Sequence, residues 1–322
     1  MSVLTKTCGT AIRHVAPYLP DDLVASLRTM KKFRYTFGYY PNVIRPRGFN
    51  EHIQARKLFD RTPEFATMVD KIAVRPWVVN RSTLCELPRL IYVAQDPSQI
   101  PWDRLGQRYV LKASHGSGWV KIVRDADQVD PKALIMLCHE WLRRNYADEY
   151  LENAYRNVPP RIIVEEFLDN GSGEPAEDYK FYCFDGQVRV VQVDIARFGE
   201  HRRALFNDKW ERIPAQLSVP DYEGDVPRPE RLDDMIRCAG QVSAGYDFLR
   251  VDLYSIGTRI YFGEATPLSG SGFNVITPAS FDLELGSYWT HRLHARLFHR
   301  LASLALSDIR LVWSNGTRSR AL

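Results

Sequence analysis

Arg250-Val251-Asp252-Leu253-Tyr254 and Phe262-Gly263-Glu264-Ala265-Thr266 are two short apolar runs that carry charge at alternate positions. Strand periodicity puts Arg250 and Asp252 on one face, and Phe262, Glu264 and Thr266 on one face. Whether the two sets meet depends on the turn that joins them. An even two-residue turn pairs Asp252 with Tyr261 and sends Glu264 to the opposite face. A three-residue turn around Gly257 places Glu264 opposite Arg250 and diagonal to Asp252, and this odd turn is predicted. Two converging carboxylates then suit Mg²⁺, a hard cation commonly held by one or two carboxylates together with substrate phosphates. The competing explanation is a surface salt bridge of Arg250 with either acid, which contributes little to stability.

Upstream, Tyr109-Val110-Leu111-Lys112-Ala113-Ser114 reads as a strand with Lys112 on the face of Val110, followed by His115-Gly116-Ser117-Gly118 and a second strand, Val120-Lys121-Ile122-Val123. A lysine beside a Gly/Ser turn offers a compact positive charge and exposed backbone N–H groups to phosphate oxygens; a strand-end lysine beside an ordinary turn is the alternative. Glu165-Glu166 lies in the apolar run Arg161–Leu168, and burying either acid without a partner is costly, so that strand is expected to border a cleft. Tyr179–Phe184 and Gln187–Val193 flank Asp185-Gly186, a strong hairpin signal. Asp178, Lys180, Asp194, Arg197 and Arg202-Arg203 form a further charged group on neighbouring strands. There is no G-x-x-x-x-G-K-[ST], no G-x-G-x-x-G and no H-E-x-x-H.

The remainder of the 322 residues is ordinary globular sequence: 45% hydrophobic and 25% charged, which excludes disorder, collagen and coiled coil. The 43 Lys+Arg against 39 Asp+Glu give a net of +4, but residues 291–322 alone hold six Arg and one Asp. The body is therefore near neutral, and a nucleic-acid surface is not expected. No stretch approaches the roughly 20 apolar residues of a membrane span. The N-terminal segment lacks a secretory apolar core, and five scattered cysteines without C-x-x-C read as reduced thiols of a cytoplasmic protein.

Helices are expected where Asp21 and Asn50 can cap, after Thr62-Pro63 as far as Pro76, over 131–150 and over 231–244. The tail repeats Leu293, Leu297, Leu301 and Leu304 beside Arg292, Arg296 and Arg300. It reads as a basic amphipathic helix that either docks on the body or lies on an anionic membrane surface.

In this order the blocks resemble the ATP-grasp superfamily, in its TupA-like branch linked to teichuronopeptide and other cell-surface polysaccharide synthesis. The matching stretches are Phe49–Ile53, Asp70–Arg75, Val110–Gly118, Ile163–Phe167, Asp178–Gly186, Arg250–Tyr254 and Phe262–Thr266. The resemblance implies an α+β fold in which two lobes with antiparallel sheets grip Mg·ATP: a helical region at 1–69, a small lobe at 70–166, a large lobe at 167–290 and the tail at 291–322. It implies that Lys71 and Lys112 hold phosphates, that His115, Gly116, Ser117 and Gly118 form a mobile loop over them, and that Glu165, Glu166 and Phe167 are a hinge reading adenine. Lys180 and Arg197 would lie near the triphosphate, Asp252 and Glu264 would bind metal, and Arg250 would stabilise an oxyanion. Most ATP-grasp enzymes carry Asn where Thr266 stands, and a hydroxyl is the weaker metal ligand.

The activity so implied is ATP-dependent carboxylate–amine ligation through an acyl phosphate, joining an amino acid or peptide amine to a sugar carboxylate. The rival readings are an ATP-grasp kinase acting on a glycan or small acceptor, a glycosyltransferase using Asp125-Ala126-Asp127 with Mn²⁺ and a nucleotide sugar, and a nucleotide-binding protein without catalysis.

Overall fold

The computed structural model describes residues 21–195 and 200–289. Arg197, Cys8 and the tail helix expected at 291–322 lie outside them. Four helices open the described chain: α1 (Asp21–Phe37), α2 (Phe49–Phe59), α3 (Glu64–Val69) and α4 (Val74–Val79). Asn50 does not cap α2, which begins one residue earlier, after Gly48. Its amide instead donates to the Asn274 carbonyl at 2.9 Å and to Asp282 Oδ1 at 2.9 Å. The helix expected to run from Pro63 to Pro76 is two short ones. Asp70 ends the first and accepts from the Ile72 N–H at 2.9 Å. Pro76 then falls in the first turn of α4, where its missing N–H leaves no intrahelical bond unmade.

A four-stranded antiparallel sheet follows, in the order β1 (Leu90–Ala94), β4 (Ile162–Glu166), β2 (Tyr109–Ala113), β3 (Val120–Val123). One face is apolar and packs on α5 (Pro131–Arg143): Leu111, Ala113, Ile162 and Val164 meet Leu134, Cys138 and Trp141. The helix expected over 131–150 breaks at Arg144-Asn145, where the Asn145 side chain accepts from the Ala147 N–H at 3.0 Å and so starts α6 (Tyr146–Tyr150). Val110, Lys112 and Glu165, on the alternate positions, line a cleft.

The second sheet has five antiparallel strands in the order β10 (Arg259–Thr266), β9 (Leu249–Ile256), β5 (Asp178–Phe184), β6 (Gln187–Ile195), β7 (Arg202–Phe206). Its apolar face, with Phe181, Val191, Val251, Leu253 and Phe262, packs on α7 (Leu232–Ser243) through Leu232, Met235, Ala239 and Val242, and on Phe65, Met68, Val74 and Val78 of α3 and α4. Each such large side chain, fully buried, contributes about 1.5–3 kcal/mol. The opposite face of this sheet looks into the same cleft. A short ribbon, β8 (Gln216–Leu217) with β11 (Ile276–Thr277), and α8 (Ala279–Ser287) close a second core around Phe49, Tyr182, Phe248 and Trp289.

The β9–β10 turn departs from the odd length expected. Ile256 pairs with Arg259 across the two residues Gly257-Thr258, and this even register runs to Leu253 opposite Phe262. Continued unchanged, it would set Glu264 opposite Val251 and drive a carboxylate into the core. A bulge at Gly263 inserts one residue instead, so Glu264 faces Asp252 and Thr266 faces Arg250. The convergence thus comes from the strand interior, not from the turn. A Cβ on Gly263 would lie 3.0 Å from the Tyr254 ring and 3.1 Å from the Asp252 carbonyl oxygen. Gly263→Val should therefore cost about 1–3 kcal/mol by overpacking, read as a lower urea midpoint; an unchanged midpoint would contradict the close approach.

Candidate active site

The functional face of the larger sheet is organised as cross-strand rows. Glu264 of β10 lies beside Asp252 of β9, Asp252 beside Lys180 of β5, and Lys180 beside Gln192 of β6. In the next row Thr266, Arg250 and Tyr182 are neighbours. Because alternate residues of these strands are core, the row spacing fixes where each charge stands.

Arg250 holds the centre. Its Nε lies 2.7 Å from Asp252 Oδ1 and its Nη2 lies 2.8 Å from Asp252 Oδ2, a two-pronged pairing. Nη2 also reaches Glu264 Oε1 at 3.0 Å and Thr266 Oγ1 at 3.2 Å, while Nη1 reaches Ser269 Oγ at 3.3 Å. Thr266 donates its hydroxyl to Glu264 Oε1. Burial pushes the Glu264 carboxyl up, but Arg250 and Lys71 outweigh it and hold it at about 2. Asp252 goes the other way: burial, reinforced by Asp178 and Glu264, outweighs Arg250 and Lys180 and raises it.

Lys180 donates to Asp178 Oδ2 and, at 3.1 Å, to Asp252 Oδ2. Asp194, beside it, takes Arg203 Nε at 2.7 Å and the Gln192 amide at 3.0 Å. Burial raises its carboxyl, yet Lys180 and Arg203 bring it down to about 2.

On the smaller sheet Lys112 Nζ pairs with Glu165 Oε2 at 2.6 Å, and Arg75 Nη1 takes the other oxygen at 2.9 Å. The buried acid foreseen at 165 is thus held by two cations, which is why β4 tolerates it. Lys71 donates to the Gly116 carbonyl of the glycine turn. Ser117 and Gly118 line the cleft, but His115 does not: its Nε2 sits 3.0 Å from the Trp141 carbonyl oxygen, and its ring packs edge-on to Trp119. Gly116 lies so close to the Trp119 ring that a Cβ would stand 2.4 Å from it. Glu166 accepts from the Arg89 N–H at 2.6 Å and ties β4 to the chain before β1, while the Arg108 guanidinium lies 5.3 Å from the Phe167 ring centre. Glu166 and Phe167 line the cleft with Glu165.

Of the residues singled out from sequence, Lys71, Lys112, Ser117, Gly118, Glu165, Glu166, Phe167, Lys180, Arg250, Asp252 and Glu264 line one cleft of about 1340 Å³. His115 and Gly116 back it. Asp125 instead caps a turn, accepting from the Asp127 N–H at 3.0 Å and the Gln128 amide at 2.8 Å, and neither Asp125 nor Asp127 reaches the cleft.

Sequence reasoning missed the far wall. Tyr146, Tyr150 and Tyr155 cluster there, with Tyr146 stacked on Tyr150 at 4.3 Å between ring centres and tilted against Tyr155 at 4.4 Å. Glu152, buried among them, is raised to about 7 by burial, which outweighs the pull of Lys57. The recurrence of tyrosine around one acid was the available signal.

As to metal, Asp252, Glu264 and the Thr266 hydroxyl present hard oxygen donors from paired strands, a set that fits Mg²⁺. Among the described residues no group of three His, Cys, Asp or Glu side chains forms a self-sufficient metal cage.

Two antiparallel sheets, each backed by helices and facing each other across a lysine-lined glycine turn and an Arg-Asp-Glu hairpin, are the architecture of the ATP-grasp class. Residues 51–290 match the family described as TupA-like ATPgrasp, and the chain belongs to that family. Among solved structures it is similar to D-alanine–D-alanine ligase from Bacillus anthracis complexed with ATP, at 15% identity over 71% of this chain and 66% of that chain, TM-score 0.40. It is similar also to D-alanyl-alanine synthetase A from Vibrio cholerae (11%, 80% and 67%, 0.40) and to the ATP-grasp ligase PsnB complexed with minimal precursor (12%, 71% and 64%, 0.38). The chain thus spans about two thirds of the length of these ligases. No curated protein matches it.

Burial lowers Lys71 to about 8, against the pull of Glu264. Between pH 8 and 10.5 the unfolded chain keeps a proton that the folded one has lost, so this group makes stability rise with pH across that window. Measured against Lys71→Met, the wild-type protein should gain on the order of 1–3 kcal/mol from pH 8 to 10.5. A difference that stays flat would contradict a Lys71 whose pKa is lowered by burial.

Proposed function

We propose that the protein is an ATP-dependent carboxylate–amine ligase that works through an acyl phosphate. The observation that carries this reading is the convergence of three lysines, the Arg250–Asp252–Glu264 cluster and the glycine turn on one cleft.

In this reading Lys71 and Lys112, with the backbone of Ser117 and Gly118, hold the ATP phosphates. Val110, Val120 and Ile122, all on the cleft wall, give the base an apolar bed next to the Glu165–Phe167 segment. Asp252 and Glu264 would hold Mg²⁺, which when bound offsets negative charge on the phosphoryl oxygens.

A substrate carboxylate oxygen attacks the γ-phosphorus and ADP leaves. The amine then attacks the carbonyl carbon, the carbon–oxygen bond to phosphate breaks, and the proton lost by the nitrogen passes to the departing phosphate or to water. Arg250 faces the charge that gathers on the tetrahedral oxygen, a preorganised cation where it is most effective. Lys180 is positioned by Asp178 and Asp252 to neutralise the transferring group. Products are an amide, ADP and phosphate.

The acceptor end is assigned to the wall of Tyr146, Tyr150, Tyr155 and Glu152. An aromatic surface with few placed polar groups suits a ring-shaped ligand oriented by hydrogen bonds. With the family's link to cell-surface polysaccharides, this supports a sugar carboxylate joined to an amino acid or peptide amine, in cell-envelope polysaccharide synthesis on the cytoplasmic side.

Mg·ATP should raise the unfolding temperature, since a ligand at 100 times its dissociation constant adds about 2.7 kcal/mol. The shift should shrink in Lys112→Ala and Asp252→Asn, and turnover should release ADP and phosphate. A shift produced by UDP- or GDP-sugars and not by Mg·ATP would overturn the assignment, as would a phosphorylated acceptor without amide.

A further inference from the structure

The outward face of α1 and the chain that follows it carry no counterpart in the cleft. From Leu23 to Asn50 the sequence holds six cations, Arg28, Lys31, Lys32, Arg34, Arg45 and Arg47, between the Asp21-Asp22 that opens α1 and Glu51, which is buried and takes the Asn42 and Arg47 N–H groups, on a body that is close to neutral. Phe33 and Thr29 turn inward and are buried. At 100° per residue Leu27, Arg28, Lys31, Arg34 and Tyr35 then share the opposite, solvent side of the helix, and all five are exposed.

Large apolar and aromatic side chains stand among these charges. Tyr35 is 92% exposed, Tyr40 56% and Ile44 59%. The Arg34 guanidinium lies 4.9 Å from the Tyr40 ring centre, which joins the helix face and the following loop into one surface. A merely solvated face does not need exposed tyrosines and isoleucine; they are the residues that gain from an interface whose one side is wet and the other apolar. Among the described residues no helix is long and apolar enough to cross a membrane, so any bilayer contact through this surface is peripheral.

We propose that this basic, tyrosine-bearing face docks on an anionic lipid bilayer, its cations meeting the headgroups and Tyr35, Tyr40 and Ile44 entering the interfacial layer. Charge complementarity selects the occupant: Arg28, Lys31, Arg34, Arg45 and Arg47, all exposed, offer five cations to a surface of negative potential, and tyrosine prefers the headgroup level. Lys32, one residue from Lys31, lines the cleft together with Tyr150 and Asn274, so docking brings that end of the cleft beside the bilayer. The proposal stands whether or not the cleft is a ligase site.

The test is co-sedimentation of the full chain with vesicles of phosphatidylcholine alone and with about a third phosphatidylglycerol, at low and high salt. Binding is expected only to the anionic vesicles and should weaken at high salt. Lys31→Glu with Arg45→Glu should lower partitioning roughly 25-fold or more, at about fivefold per cation. Tyr35→Ser with Tyr40→Ser should lower it without changing its salt dependence. Melting temperature and far-ultraviolet circular dichroism confirm that the variants fold. No binding by the wild-type chain, equal binding to neutral vesicles, or full binding by both variants would overturn the proposal. So would binding to soluble polygalacturonate with none to vesicles, which would assign the face to an acidic polysaccharide.

Discussion

Everything at the centre of this molecule depends on one extra residue in β10. The two-residue turn at Gly257-Thr258 starts the hairpin in a register that would bury Glu264 against Val251, and the bulge at Gly263 corrects it. Only then can a single guanidinium, that of Arg250, bind Asp252 with two nitrogens and still touch Glu264 and Thr266. The core needs the apolar register of Leu253 with Phe262, and the cleft needs the polar register of Asp252 with Glu264. The bulge lets one hairpin satisfy both.

Such a centre is costly to assemble and easy to remodel. Buried ions lose hydration that their mutual attraction repays only with good geometry, and each acid here has its cation: Glu165 with Lys112 and Arg75, Asp194 with Arg203, Asp252 with Arg250 and Lys180. The pairs hold both signs of charge ready on facing walls. A polyphosphate with its cation offers the same charges in the opposite places, phosphate for the lysines and metal for the carboxylates. In the ligase reading proposed above, exchange of partners would leave no ion bare, and so heavily charged a cleft would be stable both before and after it is filled.

Much of this was legible from sequence because strands report their faces. Alternation in Tyr179–Phe184, Arg250–Tyr254 and Tyr109–Ala113 assigns core and cleft residues that the structure bears out. What escaped were contacts between distant residues. Asn50 reads locally as a helix cap but is claimed by Asn274 and Asp282, more than 200 residues away. His115 reads as part of a phosphate loop but is claimed by Trp119 and Trp141. The register differs for another reason: the shift lies at Gly263 within the strand and not in the turn, and an isolated glycine inside a strand pattern is the sign of a bulge. Glu152 stands within a local recurrence of tyrosine, Tyr146, Tyr150 and Tyr155, but its burial comes only when that segment folds back on itself.

A crystal structure with Mg²⁺ and a non-hydrolysable ATP analogue tests the account most directly. It should place the triphosphate against Lys71, Lys112 and the Ser117-Gly118 backbone, with a metal ion on Asp252 and Glu264 and the Arg250–Glu264 contact opened. A nucleotide bound elsewhere, or one bound in the cleft with Arg250, Asp252 and Glu264 still closed on one another and no metal between them, would contradict it.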